Sequence, residues 1–159
     1  MRVLIDSREQ KPYVFAPVDY PDVTTCTGTL PQGDYSLPGL ENHVAIERKS
    51  LSDLVGCLGK DRTRFLKEMH RAKGMECFCV VVEGTWAALA GGQYKSRLNP
   101  KAAVATCCAI MARMNIPFIF AGSRQAAEAV TYSLLRQYAR GAMKKAEVLR
   151  AALEGDVVE

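Results

Sequence analysis

Two carboxylates and a lysine carry the chemistry that this sequence indicates. Glu47 and Lys49 lie two residues apart at the end of the apolar stretch 44–49, and Asp34 follows a glycine in an upstream turn. Because strand side chains alternate between faces, Glu47 and Lys49 project to one side and Arg48 to the other. Two carboxylates can hold Mg²⁺, and a lysine beside them can orient or help activate a bound water. That combination suits hydrolysis of a phosphodiester bond.

Each of these residues also has a purely structural explanation. Asp34 is a favoured turn residue. Glu47 and Lys49 can form an ordinary edge ion pair. Asp53 has the spacing of a capping-box partner for Ser50, and this role stays open beside a role in the site. The spacing of all four, with a strand leading into a capped helix, favours a metal-dependent site over separate structural roles.

The elements that must position these residues alternate between strands and helices, which predicts one α/β domain. The turn before Asp34 would place it in the hairpin arm beside residues 43–49. A glycine at 141 is expected to end one helix and separate it from the last. Strands are predicted over 3–6, within 23–37 (two short ones) and over 43–49, 77–84 and 116–121; helices over 50–58, 61–73, 99–114, 124–140 and 142–154.

The spacing of the charged residues resembles a known signature. Gly33 and Asp34, twelve intervening residues, Glu47-Arg48-Lys49, three more residues and then Asp53 are similar to the GD-x(n)-ERK-x(3)-D motif of the ERCC-type nuclease domain. That domain occurs in the XPF and Mus-type structure-specific endonucleases, within the restriction-endonuclease-like PD-(D/E)xK group. The resemblance extends to Asp6-Ser7-Arg8-Glu9, which looks like the family's D-x-R-E element, and to the segment 61–65.

The resemblance implies a fold, a reaction and roles for the matching residues. The fold would be restriction-endonuclease-like, with a central mixed β-sheet flanked by α-helices. The domain would be an endonuclease that cuts branched or junction DNA during repair or recombination. It would require Mg²⁺, for which Mn²⁺ can substitute. The implied roles are: metal ligands Asp34, Glu47 and Asp6; water-orienting Lys49; Arg8 near the scissile phosphate; Arg48 paired with a supporting carboxylate or the DNA backbone; and Asp53 shared between cap and site.

Two other classes of function remain open at this point. The chain could be a non-catalytic DNA-binding or scaffold subunit, since such families include partners that have lost their metal residues. It could also be a structural or protein-interaction domain, which predicts neither metal dependence nor salt-sensitive DNA binding. The carboxylates expected of the enzyme are all present, which favours the nuclease.

Cationic residues outside the signature are candidates for phosphate contact. One group recurs at helical spacing and consists of Lys60, Arg64, Lys67 and Arg71, with Glu68 beside it to pair with Arg64. A solvated helix face is the plainer explanation of this stripe. A second group lies in the glycine-containing loop before residue 100, where a mobile loop with cations and an aromatic suits DNA backbone binding. The predicted DNA-binding residues are Lys60, Arg62, Arg64, Lys95, Arg97 and Lys101.

The composition and the N-terminal residues limit the expected partners, cysteine oxidation state and cellular location of the protein. A net charge of +4 is compatible with a nucleic-acid partner without requiring one. The six cysteines lack zinc-site spacing and are expected to be reduced thiols. The start has no secretory pattern and no stretch is apolar enough for a membrane, so a cytoplasmic or nuclear, unexported protein is expected.

Assembly is the last expectation. We expect a single ERCC-type nuclease domain over residues 1–159, without helix-hairpin-helix or helicase modules. Apolar residues on the last two helices predict a homodimer through that region, with packing of the final helix on its own domain as the alternative. A partner protein would supply further DNA binding.

Overall fold

One mixed six-stranded sheet forms the centre of the computed structural model, which describes residues 1–154. The strand order is β2-β1-β3-β4-β5-β6. The short β3 runs antiparallel to β1 and β4, whereas β1–β2, β4–β5 and β5–β6 pair in parallel. The strands are β1 (Arg2–Asp6), β2 (Thr24–Gly28), β3 (Tyr35–Ser36), β4 (Val44–Ser50), β5 (Cys77–Glu83) and β6 (Phe118–Phe120). The predicted central mixed sheet with flanking helices is confirmed.

Within residues 1–154, five helices cover the sheet, and four of them begin at side-chain caps. Ser50 Oγ accepts a hydrogen bond from the Asp53 amide, Thr85 Oγ1 from that of Ala88, Asn99 Oδ1 from that of Lys101, and Ser123 Oγ from that of Ala126. The predicted caps at Ser50 and Asn99 are thus confirmed. The helices are α1 (Leu51–Leu58), α2 (Arg62–Ala72), α3 (Trp86–Ala90), α4 (Pro100–Met114) and α5 (Arg124–Glu154). No helix within residues 1–154 has the length and apolar character that crossing a bilayer requires.

Side-chain alternation on β4 and β5 divides the interior into two apolar layers. Ala45 and Val80 face the layer that packs under α1, α2 and α4. Ile46 and Val81 face the opposite layer, which α5 covers. A parallel pair buried on both faces needs continuous apolar runs, which both strands have. The C-terminal ends of β4 and β5 are therefore held between two packed layers.

The prediction that a helix ends at Gly141 is wrong. Helix α5 continues from Arg124 to Glu154. A terminating glycine contributes by adopting a positive φ, but Gly141 lies mid-helix and open space surrounds its Cα. An interior glycine costs only about 1 kcal/mol relative to alanine, which the good helix formers on both sides outweigh.

Gly141→Ala should therefore stabilise the protein by about 0.5–1 kcal/mol, because the alanine restricts the unfolded chain and meets nothing in the folded one. The matched control is Gly33→Ala. Gly33 has φ +78°, and a Cβ there would lie 2.9 Å from the Ala45 Cβ. That variant should lose roughly 1–3 kcal/mol. Chemical denaturation of both variants measures the two changes; a destabilising Gly141→Ala would contradict a continuous helix.

Candidate active site

Asp34 lies beside the end of β4 because strand β3 begins immediately after it. Its amide donates a hydrogen bond to the Ile46 carbonyl at 2.8 Å. Its Oδ2 accepts a hydrogen bond from the Arg48 amide at 2.7 Å. The two contacts are to the residues immediately before and after Glu47 in β4. The hairpin predicted from the turn therefore brings the carboxylates of Asp34 and Glu47 to one face of the sheet.

Glu47 and Lys49 form an ion pair on that face. Lys49 Nζ contacts Glu47 Oε1, and both side chains are largely buried. Burial by itself would lower the pKa of Lys49, but the adjacent Glu47 carboxylate raises it above its usual value. Lys49 is therefore a stable ammonium at neutral pH, suited to donating hydrogen bonds rather than to accepting a proton.

The electrostatics of Asp34 fit a site for a cation. Burial raises the pKa of Asp34 well above its usual range, and the neighbouring charge of Glu47 adds to the shift. Two carboxylates held this close repel each other unless a proton or a metal lies between them. Hard carboxylate oxygens are the ligands that Mg²⁺ prefers. Within residues 1–154, no group of three or more His, Cys, Asp and Glu side chains forms a metal site. Asp34 and Glu47 are the pair in this cleft that could hold such an ion, with water and substrate oxygens completing its coordination.

Asp6 occupies the same pocket, but its carboxylate already has partners. Arg8 Nε donates to Asp6 Oδ1 at 2.7 Å, and Arg8 Nη2 donates to Oδ2 at 3.0 Å. The Leu30 amide donates to Oδ2 at 2.6 Å. Burial would raise the pKa of Asp6, but these hydrogen bonds hold it below its usual value. The arrangement orients Arg8, whose side chain is 67% exposed and faces the pocket. The direct ligand role of Asp6 stays a prediction.

These side chains line one polar cleft of about 310 Å³. Helix α2 supplies Arg64, Glu68 and Arg71 to its wall. Arg64 and Arg71 belong to the cationic stripe predicted from helical spacing, and Glu68 lies beside that stripe in the sequence. Arg64 Nη2 lies 3.8 Å from Asp61 Oδ2, and both side chains are exposed, so the Arg64 guanidinium remains accessible. The cleft therefore places arginines around the carboxylate pair.

Arg48 points to the opposite face, as strand alternation predicts. Its Nε lies 3.0 Å from Glu9 Oε2, and its Nη1 lies 3.1 Å from Glu83 Oε1. Arg124 Nη1 contacts the same Glu83 oxygen at 2.9 Å. These four residues form an ion chain, buried except at Arg124, that joins the loop after β1, the end of β5 and the start of α5.

Asp53 and the predicted DNA-binding cations are distributed around the cleft. Asp53 Oδ2 accepts a hydrogen bond from Ser50 Oγ at 2.6 Å, so it has the capping role, and it lines a shallow pocket beside Lys49 and Arg8. Arg62 donates to Thr106 Oγ1 at 3.1 Å, which ties α2 to α4. Arg64 is in the cleft, and Lys60 and Lys95 line a separate groove. Arg97 and Lys101 are exposed at the start of α4.

With this geometry established, comparison with known proteins identifies the family. A family model described as the ERCC4 domain matches residues 5–134. The chain belongs to the ERCC4 domain family. The match spans β1 to the first part of α5 and so contains Asp34, Glu47 and Lys49. A sequence comparison with curated proteins gives no significant match.

Solved structures show where this ERCC4 domain fold recurs. XPF from Aeropyrum pernix superimposes with a TM-score of 0.69 at 24% sequence identity, covering 87% of this chain and 61% of that one. XPF from Aeropyrum pernix in complex with DNA gives a TM-score of 0.68 at 24% identity, with 88% and 66% covered. The chain thus spans less than two thirds of either XPF chain, and the likeness establishes a shared fold.

Proposed function

We propose that this ERCC4 domain is a divalent-metal-dependent endodeoxyribonuclease that hydrolyses phosphodiester bonds in branched or junction DNA during repair or recombination. The observation that carries the proposal is the convergence of Asp34, Glu47 and Lys49 in one cleft rimmed by arginines. The family and the fold of the XPF structures support the same reaction.

Each residue of the cleft would have a distinct role in the hydrolysis. Asp34 and Glu47 would hold Mg²⁺, or Mn²⁺ in its place. The ion would supply charge stabilisation at the phosphate and lower the pKa of a bound water. Lys49, protonated beside Glu47, would orient that water toward phosphorus by donating a hydrogen bond to its oxygen. Arg8, held by Asp6, and Arg64 would neutralise the phosphate oxygens as the water oxygen bonds to phosphorus and the ester bond breaks. The attacking water would release its proton to solvent, and the leaving ester oxygen would take up a proton from solvent.

Labelled flap, fork, four-way-junction and plain duplex DNA, incubated with Mg²⁺, Mn²⁺ or EDTA, test this function. We expect cutting of at least one branched substrate with either metal and none in EDTA. Absence of cutting on every substrate, with salt-sensitive DNA binding intact, would favour the non-catalytic subunit instead. Absence of both would favour a structural domain.

We also propose a homodimer through the C-terminal half of α5. Apolar side chains are exposed there: Val148, Leu149 and Leu153, the last of these 88% exposed. Leu149 borders a groove with Tyr138 and Leu40 that a second helix could fill. A partner protein supplying further DNA binding is a second proposal, consistent with the longer XPF chains.

Sedimentation velocity at micromolar concentration tests the dimer. We expect a dimer for the wild type and a monomer for Leu149→Glu combined with Leu153→Glu, because each charge would be buried without a partner. The matched control is Glu147→Gln with Arg150→Gln, on exposed positions of the same helix. A monomeric wild type would exclude the dimer at that concentration.

A further inference from the structure

A second groove runs along α1 on the side away from the catalytic cleft. It has a volume of about 550 Å³ and lies between α1 and the turn formed by residues 91–98. Its floor is apolar, formed by Leu51, Val55 and the bare backbone at Gly56. Nothing lies within 4 Å of the position that a Cβ on Gly56 would occupy. The missing side chain therefore keeps the floor open.

The chemistry of the rim is cationic and aromatic. Lys60 lies on the helix side, Lys95 on the turn side, and Tyr94 forms part of the wall. None of the residues that line this groove is acidic. A flat aromatic over an apolar floor accommodates a base, and two ammonium groups at the rim accommodate the phosphates on either side of it.

The wall is built in advance by the turn. Gly92 has φ +67°, and a Cβ there would come within 2.9 Å of the Pro100 ring. Tyr94 Oη donates a hydrogen bond to the Leu98 carbonyl at 3.1 Å, which fixes the ring. The Gln93 amide donates to the Ala88 carbonyl at 2.9 Å, anchoring the turn to α3. An aromatic held in this way loses little side-chain entropy when a ligand stacks on it.

Helix α1 connects the groove to the site of cleavage. Cys57 on one side of this helix lines the catalytic cleft, whereas Val55 and Gly56 line the groove. The two are thus separated by about one helix diameter, roughly 10–12 Å. At ~3.4 Å per stacked nucleotide, about three nucleotides of one strand bridge that distance.

From this arrangement we infer that the α1 groove, formed by Leu51, Val55, Gly56, Lys60, Tyr94 and Lys95, binds an unpaired nucleotide of single-stranded DNA beside the cleavage site. Duplex DNA keeps its bases stacked inside and has none to place against Tyr94. The inference deepens the proposed function, because it makes a single-stranded arm the feature of branched DNA that the domain reads. Charge complementarity favours nucleic acid over a neutral or basic protein helix as the occupant, and the aromatic wall beside the cleavage site favours a nucleotide over an acidic helix.

Gly56→Leu is the discriminating variant, because its side chain would enter the groove without contacting the fold. Gly141→Leu is the matched control, as it makes the same change at a glycine inside another helix, where a Cβ also meets nothing within 4 Å and which lies outside this groove. The probe is a fluorescein-labelled dT₁₂ oligonucleotide, with affinity measured by anisotropy in EDTA. Blunt duplex of equal length is measured in parallel. Thermal unfolding of each variant verifies the fold.

We expect Gly56→Leu and Tyr94→Leu each to weaken dT₁₂ binding by about tenfold or more, the effect of losing one stacked base. In Gly141→Leu, dT₁₂ binding should change less than about twofold, and binding of the blunt duplex should change less than about twofold in every single variant. Lys60→Ala with Lys95→Ala should lower the salt slope of dT₁₂ binding by roughly 1–2. Equal losses in Gly141→Leu and Gly56→Leu, or no detectable dT₁₂ binding by the wild type, would overturn the inference.

The proposed nuclease activity and the proposed nucleotide binding in the α1 groove can be disproved independently of each other. If the wild type cuts forks with Mg²⁺ but Gly56→Leu binds dT₁₂ and cuts as the wild type does, the nuclease stands and the groove assignment is wrong. If the wild type binds dT₁₂ in a groove-dependent way but cuts no substrate, the groove stands and the nuclease is wrong.

Discussion

Asp34→Asn and Glu47→Gln will each lower metal-dependent cleavage by about 10²–10³-fold or more, while DNA binding in EDTA stays within a few-fold of the wild type. Each change keeps the size and shape of the side chain and removes one negative charge from a site that has two. The cleft then attracts a cation less strongly and loses charge stabilisation at the phosphate, for which losses of this size are usual. Single-turnover cleavage of the best substrate measures the effect.

Metal binding gives a second readout of the same variants. A ligand that binds only the folded state raises stability by about 2.7 kcal/mol at one hundred times its Kd. Mg²⁺ should therefore raise the melting temperature of the wild type and not that of either variant. Without metal, Asp34→Asn should be at least as stable as the wild type, because the repulsion between Asp34 and Glu47 is gone.

Asp53→Asn is the matched control. Asp53 is an exposed acid near the cleft, and its contacts are those of the α1 cap. We expect a loss of no more than about 1 kcal/mol in stability and cleavage within about tenfold of the wild type. Wild-type cleavage by Glu47→Gln, or a Mg²⁺-dependent melting shift that survives in both site variants, would contradict the assignment of Asp34 and Glu47.

Arg48→Met will destabilise the fold by about 3–5 kcal/mol, the usual cost of removing one partner from a buried ion pair. The side chains of Arg48, Glu9 and Glu83 are 8%, 6% and 12% exposed. Without the Arg48 guanidinium, Glu9 loses its ion-pair partner in this chain of contacts. Glu83 keeps only its contact with Arg124. At roughly 2–4 °C per kcal/mol, the melting temperature should fall by about 6–20 °C.

Removing the uncompensated charges should restore most of this loss. The triple variant Arg48→Met, Glu9→Gln, Glu83→Gln keeps the packing volume and buries no unpaired carboxylate, so its stability should return to within about 1–2 kcal/mol of the wild type. Arg48→Lys is the second comparison, since it keeps the charge but cannot bridge both carboxylates as a planar fork does. A single Arg48→Met variant as stable as the wild type would show that the ion chain contributes little.

Local features of the chain were predictable where a short-range rule governs them. Strand alternation placed Glu47 and Lys49 on one face and Arg48 on the other, because adjacent side chains must project oppositely whatever surrounds the strand. The caps at Ser50 and Asn99 followed from side-chain oxygens that reach amides two or three residues away. The turn at Gly33 similarly placed Asp34 beside β4.

Features that depend on distant parts of the chain were decided by tertiary structure. Arg62 carries a charge compatible with DNA, yet Thr106 on a different helix accepts its hydrogen bond. Asp6 is an acid at a strand end, yet Arg8 and the amide of Leu30 occupy its oxygens. Neither partner follows from the local pattern.

Periodicity, turns and spacing within about twenty residues were enough to predict the α/β class, the proposed catalytic trio and the family signature. Strand pairing, the continuation of α5 through Gly141, the acids that Arg48 joins and the separation of the two grooves by α1 depend on contacts between distant segments and followed from the fold. The physical reason is that burial and pairing depend on neighbours brought together by packing, and packing can outweigh a local preference of about 1 kcal/mol.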